Sequence, residues 1–184
     1  MPLHRTPATV LVVLLTLLSL RPARAEVPEP ADVIGFEPGA EHRLVTSEQI
    51  VGYFRALDEA SDRIVVEEIG RSTLGKPMIM ALISSPGNLA RREEIKAINR
   101  KLALATGLGD DEVAKLAEDG VATVWIDGGL HAMEMGGSQL MPALAHWLVT
   151  DESAEARRIR DNVLLLLNPN MNPDGLDIVT GWYA

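Results

Sequence analysis

The first helical pattern of apolar and polar positions begins at Ser47. Four apolar residues recur there every three or four positions, namely Ile50, Tyr53, Phe54 and Leu57. This spacing places them on one face and predicts an amphipathic helix. Two strand-like runs follow at 64–69 and 78–85, with a glycine-punctuated turn between them at 70–77. Such a pair of runs predicts a β-hairpin.

Two charged helices are predicted in the middle of the chain. The longer one is capped by Asn88 and runs to about Ala105, and its inward face consists of Leu89, Ile95, Ile98 and Leu102. The shorter one covers 110–118 and is capped by Gly120. No repeat or low-complexity segment is present, and the length of 184 residues predicts one domain or part of one.

Two continuous apolar runs, at 121–126 and 162–167, predict strands that are buried on both faces. A helical pattern from about Glu134 to Val149 lies between them. Strands therefore alternate with helices in this half of the chain. The predicted fold class is α/β, with a mixed, largely parallel sheet flanked by helices on both faces.

The N-terminus predicts an export signal. An uncharged run from Ala8 to Leu20 is shorter than the roughly 20 apolar residues that a membrane-spanning helix needs. It is followed by a small-x-small pattern that ends at Ala25. Residues 1–25 are therefore predicted to be a signal peptide, and an uncleaved anchor is the alternative. The protein is expected to be periplasmic or secreted, without a stable membrane anchor.

The remainder divides into an irregular leader at 26–46, rich in proline, glycine and glutamate, and a domain at 47–184. The net charge of −9, and the lack of a basic cluster interleaved with aromatic residues, argue against a nucleic-acid partner. The sequence does not indicate an oligomeric state.

The composition also limits the metal chemistry that the chain can support. No cysteine is present, so a disulfide framework and a thiolate metal site are excluded. A metal site would have to use carboxylates and some of the four histidines, which are His4, His42, His131 and His146.

The candidate functional residues lie in two polar loops, at 127–134 and 168–175, where the two apolar runs end. Ligands of open α/β sheets bind beyond the carboxyl ends of the strands. His131 and Glu134 are three residues apart, so a helical turn would point both side chains the same way. Imidazole and carboxylate are suitable zinc ligands. The alternative is a structural turn in which His131 simply hydrogen-bonds Glu134.

Three motifs in order resemble the zinc carboxypeptidase family of metallopeptidases. They are the turn Gly70-Arg71-Ser72…Gly75-Lys76-Pro77, the segment Trp125–Glu134 with its H-x-x-E pattern, and the loop Asn172-Pro173-Asp174-Gly175. The resemblance extends over about 45–184, and it is closer to the bacterial exported branch of the family than to the digestive enzymes. It implies that His131 and Glu134 are ligands of one zinc ion. For Asn172–Gly175, the alternative is a turn that simply ends a strand.

The resemblance also implies what this chain lacks. In the family, a third histidine ligand, a carbonyl-polarising arginine, an Asn-Arg pair and a general-base glutamate all follow farther downstream, and Leu176–Ala184 contains no histidine or arginine. The chain is therefore expected to be the N-terminal portion of the domain, with its C-terminal part missing, no catalytic residue of its own and no activity. His42 and His146 are the alternative third ligands.

The complete protein would be an exported zinc metallocarboxypeptidase that removes C-terminal residues from a peptide or protein substrate. One departure concerns Met133, which stands where the digestive enzymes carry an arginine, and it leaves the substrate preference open. The alternatives are a same-fold zinc deacylase of small amino-acid derivatives and an inactive exported binding protein.

Overall fold

A computed structural model describes residues 26–184, and the predicted signal peptide at 1–25 lies outside the described residues. In chain order the elements are α1 (Pro30–Ile34), α2 (Ser47–Ala60), β1 (Ile64–Arg71), β2 (Pro77–Ile83), α3 (Pro86–Ala90), α4 (Arg92–Leu104), α5 (Asp110–Asp119), β3 (Ala122–Asp127), α6 (Met135–Thr150), α7 (Ala154–Asn162), β4 (Val163–Asn168) and α8 (Pro173–Tyr183).

The four described strands form one sheet in the order β1-β2-β4-β3. The predicted hairpin is present, because β1 and β2 pair antiparallel. Strand β4 pairs antiparallel with β2 and parallel with β3. The predicted mixed α/β fold is confirmed. Only one of these three pairings is parallel, however, because β4 inserts between β3 and the hairpin and runs opposite to β2.

Helices cover both faces of the sheet, as predicted. The larger apolar cluster lies between the sheet and helices α2 and α6, and its fully buried members include Ile50, Tyr53, Phe54, Leu57, Ile83, Ala145 and Leu167. A smaller cluster on the opposite face contains Met80, Leu89, Ile95 and Leu164. Burial of these side chains supplies the main stabilisation of both layers.

Strand β3 differs from its prediction as a strand buried on both faces. Its residues are almost all exposed, including 41 % of Val124 and 54 % of Trp125. The reason is its place in the sheet, since β4 is its one partner among the described residues. A continuous apolar run is typical of a buried strand, but it does not give the position of the strand in the sheet.

The predicted charged helix at 88–105 is two helices, α3 and α4, which meet at Arg91. Ser85, rather than Asn88, caps the first of them by accepting a hydrogen bond from the Asn88 amide. The Asn88 side chain is buried and donates to the carbonyl oxygens of Arg160 and Asp161. Asn88 therefore joins α3 to the end of α7.

The leader at 26–46 packs against the domain and contains α1. Tyr53 Oη donates to the Pro28 carbonyl, and the Val45 amide donates to Gln139 Oε1 at 3.1 Å. Gln49 completes a capping box with Thr46 at the start of α2. In the part of the chain that the structure describes, no helix has the length and apolar character needed to cross a membrane.

Candidate metal centre

The two polar loops lie side by side at one edge of the sheet, as the sequence predicts. Asp127 and Asn168 are register partners at the ends of parallel strands β3 and β4. Beyond them the Gly128 amide donates to the Asn168 carbonyl at 2.8 Å, and the Met171 amide donates to the Gly128 carbonyl at 2.8 Å. These two backbone hydrogen bonds join the loops directly.

Gly128 and Gly129 pass through a narrow slot between the second loop and α6. A Cβ atom on Gly128 would lie 2.7 Å from the Pro169 carbonyl oxygen, and one on Gly129 would overlap Ser138 Oγ. Gly129 also has a φ of 60°. Glycine is required here for close approach and, at Gly129, for a left-handed conformation as well.

His131 and Glu134 leave this slot in a turn whose Glu134 amide donates to the His131 carbonyl at 3.1 Å. Their side chains converge, with 2.9 Å between His131 Nδ1 and Glu134 Oε2. Both side chains are 70 % exposed to solvent. The two donor atoms therefore face one accessible point at the strand ends, where a cation could contact both.

The other described histidines have partners elsewhere. His42 Nδ1 lies 3.2 Å from Tyr183 Oη, and His146 Nε2 lies 3.5 Å from Glu29 Oε2. Within residues 26–184, no cluster of three or more histidine or acidic residues could hold a metal ion. His131 and Glu134 are thus a pair of neighbouring donors, and among the described residues neither His42 nor His146 joins them in such a cluster.

The Asn172–Gly175 loop differs from the predicted turn, because it begins helix α8. Asn172 Oδ1 accepts a hydrogen bond from the Gly175 amide, and Pro173 occupies the first turn, where its missing N–H costs nothing. Asp174 reaches the hairpin turn and accepts hydrogen bonds from Ser72 Oγ at 2.6 Å and from the Leu74 amide at 3.1 Å.

A second contact from α8 involves Asp177. Its carboxylate accepts hydrogen bonds from the Ser47 amide at 2.7 Å and Ser47 Oγ at 2.6 Å, and it forms an ion pair with Lys76 Nζ. Partial burial alone would raise the pKa of Asp177. The hydrogen bonds from Lys76 and Ser47 outweigh that effect and hold the pKa below its usual value. Helix α8 is thereby fixed to both α2 and the hairpin.

Two buried polar residues around the slot were not predicted as part of the site. Ser138 is 1 % exposed and faces Gly129, and Asn170 is 7 % exposed, with an amide that has no hydrogen-bond partner among the described residues. The pair Gly136-Gly137, just before Ser138, could have indicated this close packing, because a Cβ on Gly137 would lie 3.2 Å from the Gly129 nitrogen.

Comparisons with known proteins bear on the family and the fold of this chain. The zinc carboxypeptidase family model matches residues 50–183. A crystal structure of a putative carboxypeptidase from Burkholderia mallei has a TM-score of 0.50 and 21 % identity, over 72 % of this chain and 27 % of its own. Thrombin activatable fibrinolysis inhibitor has a TM-score of 0.52 and 12 % identity, over 83 % of this chain and 32 % of its own.

This chain therefore spans about a third or less of the length of these two structures, whose likeness supports the fold alone. None of the curated proteins matches it. The family model covers most of the domain, including the hairpin turn, the H-x-x-E segment and the Asn172–Gly175 loop. The chain belongs to the zinc carboxypeptidase family.

Proposed function

We propose that this protein provides two of the three protein ligands of a catalytic zinc ion in an exported metallocarboxypeptidase. The observation that carries the proposal is the 2.9 Å approach of His131 Nδ1 to Glu134 Oε2, with both side chains open to solvent at the strand ends. The exposure leaves both donor atoms accessible to a cation from solvent. Membership of the family supports zinc as the metal.

The roles of the chain's own residues follow from their positions. His131 would bind through Nδ1 and Glu134 through its carboxylate, while Gly128 and Gly129 bring the loop to the sheet edge. When bound, zinc would lower the pKa of a coordinated water and polarise the scissile carbonyl of a peptide substrate. The accessible side of the two ligands leaves room for both.

The third ligand, the general base and the groups that hold the substrate carboxylate are proposed to come from other parts of a longer protein. Two observations support this. The described residues contain no third ligand for His131 and Glu134, and the chain covers 27 % and 32 % of two solved relatives by fold. The chain by itself is therefore proposed to be inactive, and removal of C-terminal residues is the activity of the complete enzyme.

Export is a further part of the proposal. It is supported by the uncharged run at 8–20 followed by the small-x-small pattern that ends at Ala25. N-terminal sequencing of the protein from a secreting host tests this, with Glu26 expected as the first residue.

Zinc binding by matched histidine variants tests the function. The full chain is titrated with Zn²⁺ in competition with a chromophoric chelator. We expect His131→Ala to abolish competition, because one of two ligands is lost. His146→Ala, which changes a histidine outside the site, should leave the zinc affinity unchanged. Equal zinc affinity for the parent chain and His131→Ala would exclude His131 as a ligand.

A further inference from the structure

Ala132, the residue that follows the first proposed ligand, lies against the first turn of α8. A Cβ atom placed on Gly175 would be 2.7 Å from the Ala132 Cβ, closer than two such atoms can approach. Gly175 is not among the glycines with positive φ. Its missing side chain is therefore needed for space at Ala132 and at the capping side chain of Asn172, rather than for an unusual backbone conformation.

Ala132 is also the one residue at 130–134 that is not exposed. Leu130 is 56 % and Met133 85 % exposed, and the side chains of His131 and Glu134 are each 70 % exposed. The turn that carries both ligands consequently has a single packed side chain. Its contact with α8 limits how far the turn can move.

The surface that receives Ala132 is itself fixed to the rest of the domain. Asp174, next to Gly175, accepts hydrogen bonds from Ser72 Oγ and the Leu74 amide of the hairpin turn. Asp177, one turn farther along α8, is bound by Ser47 and Lys76. A continuous set of contacts therefore extends from the hairpin through α8 to Ala132.

We infer that Gly175 is a positioning residue for the zinc ligands. Its empty side-chain position seats Ala132 and thereby sets the directions of His131 and Glu134. The metal-binding part of this inference rests on the proposed function. The Asn172–Gly175 loop then positions the site as well as starting helix α8.

The test is Gly175→Ala, with Gly181→Ala as the matched control. Both glycines lie in α8, but a Cβ on Gly181 would meet nothing within 4 Å. We expect Gly175→Ala to raise the zinc dissociation constant about tenfold or more, the loss typical when a group that orients a metal ligand is disturbed. Gly181→Ala should leave it unchanged. Equal affinities for the two variants would overturn the inference.

A compensating substitution separates positioning from a general loss of structure. A Cβ on Gly175 would also lie 2.6 Å from Asn172 Nδ2, so Gly175→Ala could weaken the helix cap. Adding Ala132→Gly removes the clash with the loop and leaves the cap disturbed. Recovery of most of the lost zinc affinity, relative to Ala132→Gly alone, supports positioning. No recovery in the double variant would contradict it.

A metal-free measurement distinguishes this inference from the proposed function. The order parameter of the Ala132 methyl group, measured by NMR without zinc, should fall in Gly175→Ala and stay constant in Gly181→Ala. If the parent chain binds no zinc but the order parameter falls as expected, the proposed function fails and the seating of Ala132 stands. If zinc binds and the order parameter is the same in both variants, only the inference fails.

Discussion

Ser72 and Asp174, 102 residues apart in the chain, are joined by a hydrogen bond of 2.6 Å from Ser72 Oγ to Asp174 Oδ1. The bond connects the hairpin turn with the first turn of α8. Two of the three family motifs are therefore in direct contact. The third, which carries His131 and Glu134, contacts α8 through Ala132.

Replacing Asp174 should loosen the hairpin turn. Asp174→Ala removes the acceptor for both Ser72 Oγ and the Leu74 amide, and we expect the free energy of unfolding to fall by about 1–3 kcal/mol. Urea denaturation measures the change. Asp111→Ala is the control, since Asp111 is also an acid in the first turn of a helix but is exposed to solvent. Equal losses would show that the hydrogen bonds to the hairpin contribute nothing.

Asp177 should make the stability of the protein sensitive to acid. Its pKa is lower in the folded state than its usual value of about 3.8, so the contacts with Lys76 and Ser47 stabilise the fold above that pH. The stabilisation is lost as the pH falls below about 4, through the folded-state pKa. Asp177→Asn should be less stable at pH 7 and should lose less stability between pH 5 and pH 2.

Denaturation curves at a series of pH values measure this difference. Asp111→Asn is again the matched control, and its pH profile should follow that of the parent chain. A profile for Asp177→Asn that runs parallel to the parent profile over the whole range would contradict the assigned contacts.

Replacing Gly129 by alanine should destabilise the protein more than the same replacement at a glycine of similar backbone conformation. Gly129 and Gly107 have φ values of 60° and 75°, so alanine at either position costs about 1 kcal/mol of conformational energy. A Cβ on Gly107 meets open space, whereas one on Gly129 overlaps buried Ser138. We expect Gly129→Ala to lose about 1–3 kcal/mol more than Gly107→Ala by urea denaturation. Similar losses would rule out the tight slot.

The sequence predicted the hairpin, the helix at Ser47 and the meeting of the two loops. The first two depend on local spacing of apolar residues, and the third follows because parallel neighbouring strands end at one edge. The approach of His131 to Glu134 was also predictable, since their separation of three residues in a turn brings the side chains together.

The remaining features depend on relationships that local patterns do not contain. The exposure of Trp125 follows from the place of β3 in the sheet. The order of the strands cannot be predicted from any single apolar run of the sequence. Pro173 is typical of turns and of first helical turns alike, so the first turn of α8 was predicted as part of a loop. The bond between Ser72 and Asp174 depends on the packing of two distant segments.

The assignment of His131 and Glu134 as zinc ligands is tested most directly by a crystal structure of the zinc-soaked protein, with data collected at the zinc absorption edge. We expect an anomalous difference peak about 2.0–2.2 Å from His131 Nδ1 and from a Glu134 carboxylate oxygen. The peak should be absent in crystals of His131→Ala. A peak in the parent crystals that contacts neither side chain, or one that persists unchanged in His131→Ala, would contradict the assignment.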